Sequence, residues 1–191
     1  MMPILLGKYY HIFNRGINSM PIFSEREDYI QFLNLFQKYI PKVADTFAYC
    51  LMKNHFHFLV RVKDTKEIEF LAKSKKYNPS RQLSHLFNAY AKWFNFKTGR
   101  TGPLFDLTFR RKVIDSELYF KQLVVYIHTN PVHHNIVSDP GMYPWSSYKA
   151  FLDGTNQIIF LADTIKWFGD LENFSFVHTQ DQNYSNGIMD I

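Results

Sequence analysis

A chain of 191 residues, 46% hydrophobic and 18% aromatic, is long and apolar enough for one domain with a sizeable core, and it lacks the roughly 18-residue apolar run of a membrane span. A single cysteine, Cys50, excludes an internal disulfide, and an opening without the basic start or the length of a secretory signal predicts a reducing cytosol. The net charge of +5 suits a polyanionic partner but does not identify one.

Tyr9 to Asn14 is rich in β-formers and closes on Arg15-Gly16, which predicts a first strand and a turn. Ser24 with Glu27 is a capping-box pattern, and Tyr29, Phe32, Leu33, Phe36 and Ile40 follow at helical spacing up to Pro41. Thr46 to Met52 reads as a second strand, and Lys53-Asn54 turns it into a third that begins His55-Phe56-His57. The lysine-rich stretch from Asp64 to Pro79 reads as a solvated loop with a short helical piece. From Ser80, the positions Leu83, Leu86, Phe87, Tyr90, Ala91 and Phe94 trace a second helix, which Gly99 to Pro103 end. Leu104 to Ile114 is predicted as a fourth strand carrying Arg110-Arg111-Lys112. Asp115 then caps a third helix through Leu118, Leu123 and Tyr126, stopped by Asn130-Pro131. Past Pro140 the chain is irregular, with an aromatic cluster of Tyr143, Trp145, Tyr148 and Phe151, and residues 180–191 are polar enough to fray.

Strand, helix, strand, strand, helix, strand is the α+β, ferredoxin-like (split βαβ, RRM-like) order, here with an appended helix that carries a tyrosine. The expected division is residues 1–151 as one domain and 152–191 as a C-terminal extension. Alternation along the third strand puts Phe56, Phe58, Val60 and Val62 on one face and His55, His57, Leu59 and Arg61 on the other. The apolar face is assigned to the first two helices, which leaves the histidines facing the third.

Two imidazoles on one strand face make half of a divalent-metal site that still needs an oxygen ligand. On the third helix Tyr126 and Asn130 are four residues apart and share a face. If that face meets the histidines, the site holds two ring nitrogens, a carboxamide oxygen and a phenol, a set suited to phosphodiester cleavage. A tyrosine hydroxyl, with a pKa of about 10, needs a metal, a cation or a base nearby to act as the nucleophile. Tyr119 lies on the same helix face and is the rival nucleophile. Most other tyrosines, Tyr29, Tyr49 and Tyr90 among them, read as core aromatics, and His128, His133 and His134 as surface or DNA-facing residues.

Together, Leu51-Met52-Lys53-Asn54-His55-Phe56-His57, Gly102-Pro103-Leu104-Phe105, Tyr126-Ile127-His128-Thr129-Asn130-Pro131-Val132 and Tyr143-Pro144-Trp145-Ser146-Ser147-Tyr148 resemble the HUH single-tyrosine transposases. The likeness is to their REP-associated branch, over roughly residues 8 to 151. It implies a ferredoxin-like sheet, Mg²⁺ or Mn²⁺ as the metal, and single-stranded DNA beside a hairpin as substrate. Carried over by position, His55 and His57 become metal ligands, Asn130 the third ligand and Tyr126 the nucleophile. Many relatives carry glutamine or an acidic residue at the third ligand, so asparagine is a departure. Arg15, Arg61, Arg110, Arg111 and Lys112 are the candidate DNA contacts. A cytoplasmic, nucleoid-associated transposase acting through a 5′-phosphotyrosine is the leading reading. A non-catalytic nucleic-acid-binding module and a domesticated DNA-binding regulator are the alternatives, and monomer and homodimer both stay open.

Overall fold

The computed structural model describes residues 4–72, 77–106, 108–154 and 158–180. Four antiparallel strands, β1 (Tyr9–Arg15), β2 (Ala44–Met52), β3 (His55–Val62) and β4 (Arg110–Ile114), form one sheet in the order β2-β3-β1-β4. That is the ferredoxin-like order expected from the sequence.

Each face of the sheet carries a different layer, and side-chain alternation decides which. Phe56 and Phe58 point toward α1 (Arg26–Tyr39) and α3 (Pro79–Thr98), where Phe36 stacks on Phe58 at 4.5 Å and Phe87 on Phe56 at 5.2 Å. His57 points to the opposite face, where α4 (Glu117–His133) lies with Tyr126 edge-on to the imidazole at 5.4 Å. Farther along α4, Phe120 sits in an aromatic nest with Tyr9 and Phe47.

Helix ends follow their caps. In α1 the capping box is shifted by one residue from the expected Ser24/Glu27 pair: Glu25 is the N-cap, and the Asp28 carboxylate accepts from the Ser24 and Glu25 amides. Short α2 (Thr65–Ala72) fills part of the expected loop, and Lys73, Lys75 and Lys76 lie outside the described residues. Asn78 caps α3, and Gly99 ends it in the left-handed conformation that a residue without Cβ adopts freely. For α4 the N-cap is Ser116 rather than Asp115, its hydroxyl accepting from the Tyr119 amide.

Three further expectations are corrected. Pro131 does not stop α4: proline removes only its own N–H, and in the last turn the His134 amide still bonds the Asn130 carbonyl. Leu118, assigned to the buried face of that helix, is 63% exposed. The fourth strand is shorter than Leu104 to Ile114. Phe105 makes a single bridge with Gly16, Phe109 packs against Phe87, and the ladder with β1 begins at Arg110.

Beyond α4, helices α5 (Tyr148–Asp153), α6 (Leu161–Phe168) and α7 (Leu171–Thr179) form an outer layer. Trp167 stacks on Phe120, and Phe174 is fully buried against Phe151 and Tyr148. Residues 145–147 and 159–160 also hydrogen-bond along the free edge of β2. The C-terminal extension therefore contributes to the core as far as His178, and residues 181–191 lie outside the described set. Among the described residues no helix is long and apolar enough to cross a membrane.

Candidate functional site

His55, His57, Asn130 and Tyr126 converge where β3 faces the C-terminal half of α4. His55 Nε2 lies 3.0 Å from Asn130 Oδ1, and Asn130 follows Tyr126 by one turn of α4. The i, i+4 spacing on α4 and the i, i+2 spacing on β3 bring the two pairs together once the helix docks.

The tautomers follow from the partners. His55 Nδ1 lies 2.8 Å from Asn54 Oδ1, and the Asn54 amide nitrogen points to the Ser19 carbonyl. A carboxamide oxygen only accepts, and of the two that face the ring Asn54 Oδ1 is the nearer and has its orientation set by Ser19, so the hydrogen is assigned to His55 Nδ1 and Nε2 of the neutral ring is a lone pair. That lone pair meets the Asn130 oxygen, which is also an acceptor. His57 is 0% exposed, and its Nε2 has no partner at all, while its Nδ1 lies 2.9 Å from His11 Nε2. A buried polar atom without a partner costs about 1–3 kcal/mol.

Electrostatics keep the rings neutral. Burial pushes His55 down to about 4, against the Asn130 oxygen, which favours its charged form; nearby His134 and Arg15 add to the lowering. Burial, with His11, His55 and His134 as neighbours, holds His57 well below the ordinary imidazole range. Tyr126, 8% exposed, is raised by burial, and the Asn130 carboxamide acts the other way.

Two neutral imidazole nitrogens and a carboxamide oxygen, each with an uncommitted lone pair, fit a divalent cation. Neighbouring ligands of an octahedral ion at about 2.1 Å stand about 3.0 Å apart, the separation of His55 Nε2 and Asn130 Oδ1. Among the described residues no three His, Cys, Asp or Glu side chains group as a metal site by themselves, so the carboxamide is needed as the third donor.

The candidate cations are divided by strand parity. In register with Phe13 and His11, Arg110 and Lys112 share the histidine face, whereas Arg111 alternates to the other. Lys112 sits 4.8 Å over the Tyr119 ring, so the rival tyrosine faces β4 rather than the paired histidines. Arg15 and Arg110 both lie 3.5 Å from Asp106. Arg61 is held by Asp45 at 2.6 Å and Glu67 at 2.5 Å, which leaves it committed within the fold. His134 is exposed and 5.2 Å from the His55 ring, and His133 is 6.2 Å from that of Tyr126. His128, expected at the surface, is fully buried behind the helix, between His178 and Ser147.

Sequence reasoning missed His11 and Asn54. Asn54 was visible as a turn residue, but its bond to the neighbouring ring needed the turn's geometry. His11 shares strand parity with Phe13, and only the β1–β3 register places it diagonally across from His57.

No family model and no curated protein matches the chain. A bacterial tRNA(His) guanylyltransferase-like protein in complex with GTP overlaps 70% of each chain at a TM-score of 0.35 and 10% identity, too weak to carry an argument. The fold is similar to that of a REP-associated tyrosine transposase bound to a REP hairpin, with a TM-score of 0.58 and 15% identity over 84% of this chain and 88% of that one. The chain thus shares with that transposase an α+β fold built on a four-stranded antiparallel sheet.

Proposed function

We propose that this protein is a metal-dependent, single-stranded DNA endonuclease and strand transferase of the transposase type. The observation that carries the reading is the convergence of a buried, unpartnered His57 Nε2 with His55 Nε2, Asn130 Oδ1 and the Tyr126 phenol. The fold likeness to a transposase bound to a hairpin supports it.

His55, His57 and Asn130 would hold Mg²⁺ or Mn²⁺, which would supply Lewis acidity to the phosphate and to the departing 3′ oxygen. Tyr126 attacks phosphorus in line. A bond forms between the phenolic oxygen and phosphorus, and the bond from phosphorus to the 3′ oxygen breaks. The phenol proton leaves to solvent, and the 3′ oxygen takes one up. The product is a 5′-phosphotyrosine with a free 3′ hydroxyl, ready for rejoining. Burial raises the Tyr126 phenol above its ordinary value, so without a cation it is a weaker nucleophile than a free tyrosine. Arg110 and Lys112 hold the phosphate backbone on the histidine face.

The test is incubation with hairpin-flanked single-stranded DNA and Mn²⁺, followed by a denaturing gel. A covalent protein–DNA adduct that disappears with a chelator is expected. DNA binding without an adduct, with any active preparation, would reject the enzymatic reading in favour of a binding module.

A further inference from the structure

We propose that His11 is a positioning residue that fixes His57 as the Nδ1–H tautomer and so turns its Nε2 lone pair toward the cation; this rests on the metal-dependent reading above. His11 Nε2 and His57 Nδ1 are 2.9 Å apart, and both rings are buried, His11 to 4% exposure. Their planes differ by 21° with centroids 5.1 Å apart, the arrangement of two rings meeting edge to edge through one N–H···N bond. Phe13 packs beside His11 at 4.6 Å and helps hold its orientation.

That bond has two possible directions. If His11 donated, neutral His57 would carry its hydrogen on Nε2, leaving a buried donor with no acceptor and nothing to offer a metal. If His57 donates, Nε2 is free as a ligand. His55 is already set this way by Asn54, so two imidazoles whose ring centroids are 5.1 Å apart both keep Nε2 as a lone pair. Outer partners of this kind fix the tautomer and orientation of metal-binding histidines, and losing one costs roughly 10–100-fold in metal affinity.

Long-range ¹H–¹⁵N spectra of the metal-free protein at neutral pH test the tautomer directly. The expected result is Nδ1–H for His57; an Nε2–H ring would overturn the proposal. Calorimetry with Mn²⁺ then compares variants whose fold is checked by thermal melting. His11→Leu, which cannot accept the bond, should bind roughly 10–100-fold more weakly. His11→Gln keeps an acceptor and should stay within about threefold of the parent, even if the Leu variant fails to fold. Unchanged affinity in folded His11→Leu, or equal losses in both variants, would overturn the role of the acceptor. Absence of Mn²⁺ binding by the parent protein counts against the metal-dependent reading itself, whereas the spectrum, which needs no metal, decides the tautomer separately.

Discussion

Tyr126 and Tyr119 share a helix, yet of the two only Tyr126 is edge-on to His57 and one turn before Asn130, while Tyr119 lies against Lys112. Replacing Tyr126 with phenylalanine removes one oxygen and almost no volume, so folding and DNA binding should persist while cleavage falls below detection. Tyr119→Phe should cleave within a fewfold of the parent, and mass spectrometry of the adduct identifies which tyrosine is linked. The cations separate in the same way. Arg110→Gln and Lys112→Gln should each reduce the slope of log affinity against log salt by about 1. Arg61→Met should leave that slope alone and lower stability by about 1–3 kcal/mol in urea melts, because it strips one partner from the buried Asp45 carboxylate. A salt slope that moved with Arg61 would return it to the DNA surface.

At the scale of elements, α4 is both a packing element and the carrier of the proposed nucleophile, Tyr126. Phe120, about two turns before Tyr126, is nearly fully buried and touches Tyr9, Phe47 and Trp167. Phe120→Ala should cost about 3–5 kcal/mol, measured by denaturant unfolding. The surviving folded fraction should show reduced Mn²⁺ affinity, since Asn130 rides on the same helix. Helical spacing was enough to pair Tyr126 with Asn130 and to locate α1 and α3 by their buried phenylalanines. It was not enough to locate the ends: Ser116 caps in place of Asp115, and Pro131 is absorbed into the last turn. Those outcomes depend on which amides find acceptors after docking.

For the whole molecule the buried histidines set the pH dependence. His11 is lowered to about 3, His55 and His178 to about 4, and His57 and His128 well below the ordinary value, in each case chiefly by burial. Every folded value lies below the ordinary 6.5, so as pH falls the unfolded chain takes up protons first. Stability from these groups is complete above about pH 6.5 and is lost from there down toward about pH 4 for His55 and His178 and about pH 3 for His11, each ring accounting for up to about 1.4 kcal/mol per pH unit. Urea midpoints should therefore drop steeply between pH 7 and pH 5, and a flat profile would mean these rings are not neutral in the fold. His128 and His178 carry this effect into the outer helices, since their mutual bond at 2.9 Å ties α7 to α4.

What the sequence determined by itself was local: strand parity put His55 and His57 on one face, helix periodicity put Tyr126 and Asn130 on another, and element order led to the ferredoxin-like sheet. Those periods belong to the backbone and hold before any docking. Only the tertiary structure decided that His11 reaches His57 across 46 residues, that Arg61 is taken by Asp45 across 16, and that His128 is buried against His178 across 50. Each of these depends on strand register or on which helix face meets the sheet. Both are chosen by the packing of the whole core, so a side chain's own neighbours in sequence carry no record of them.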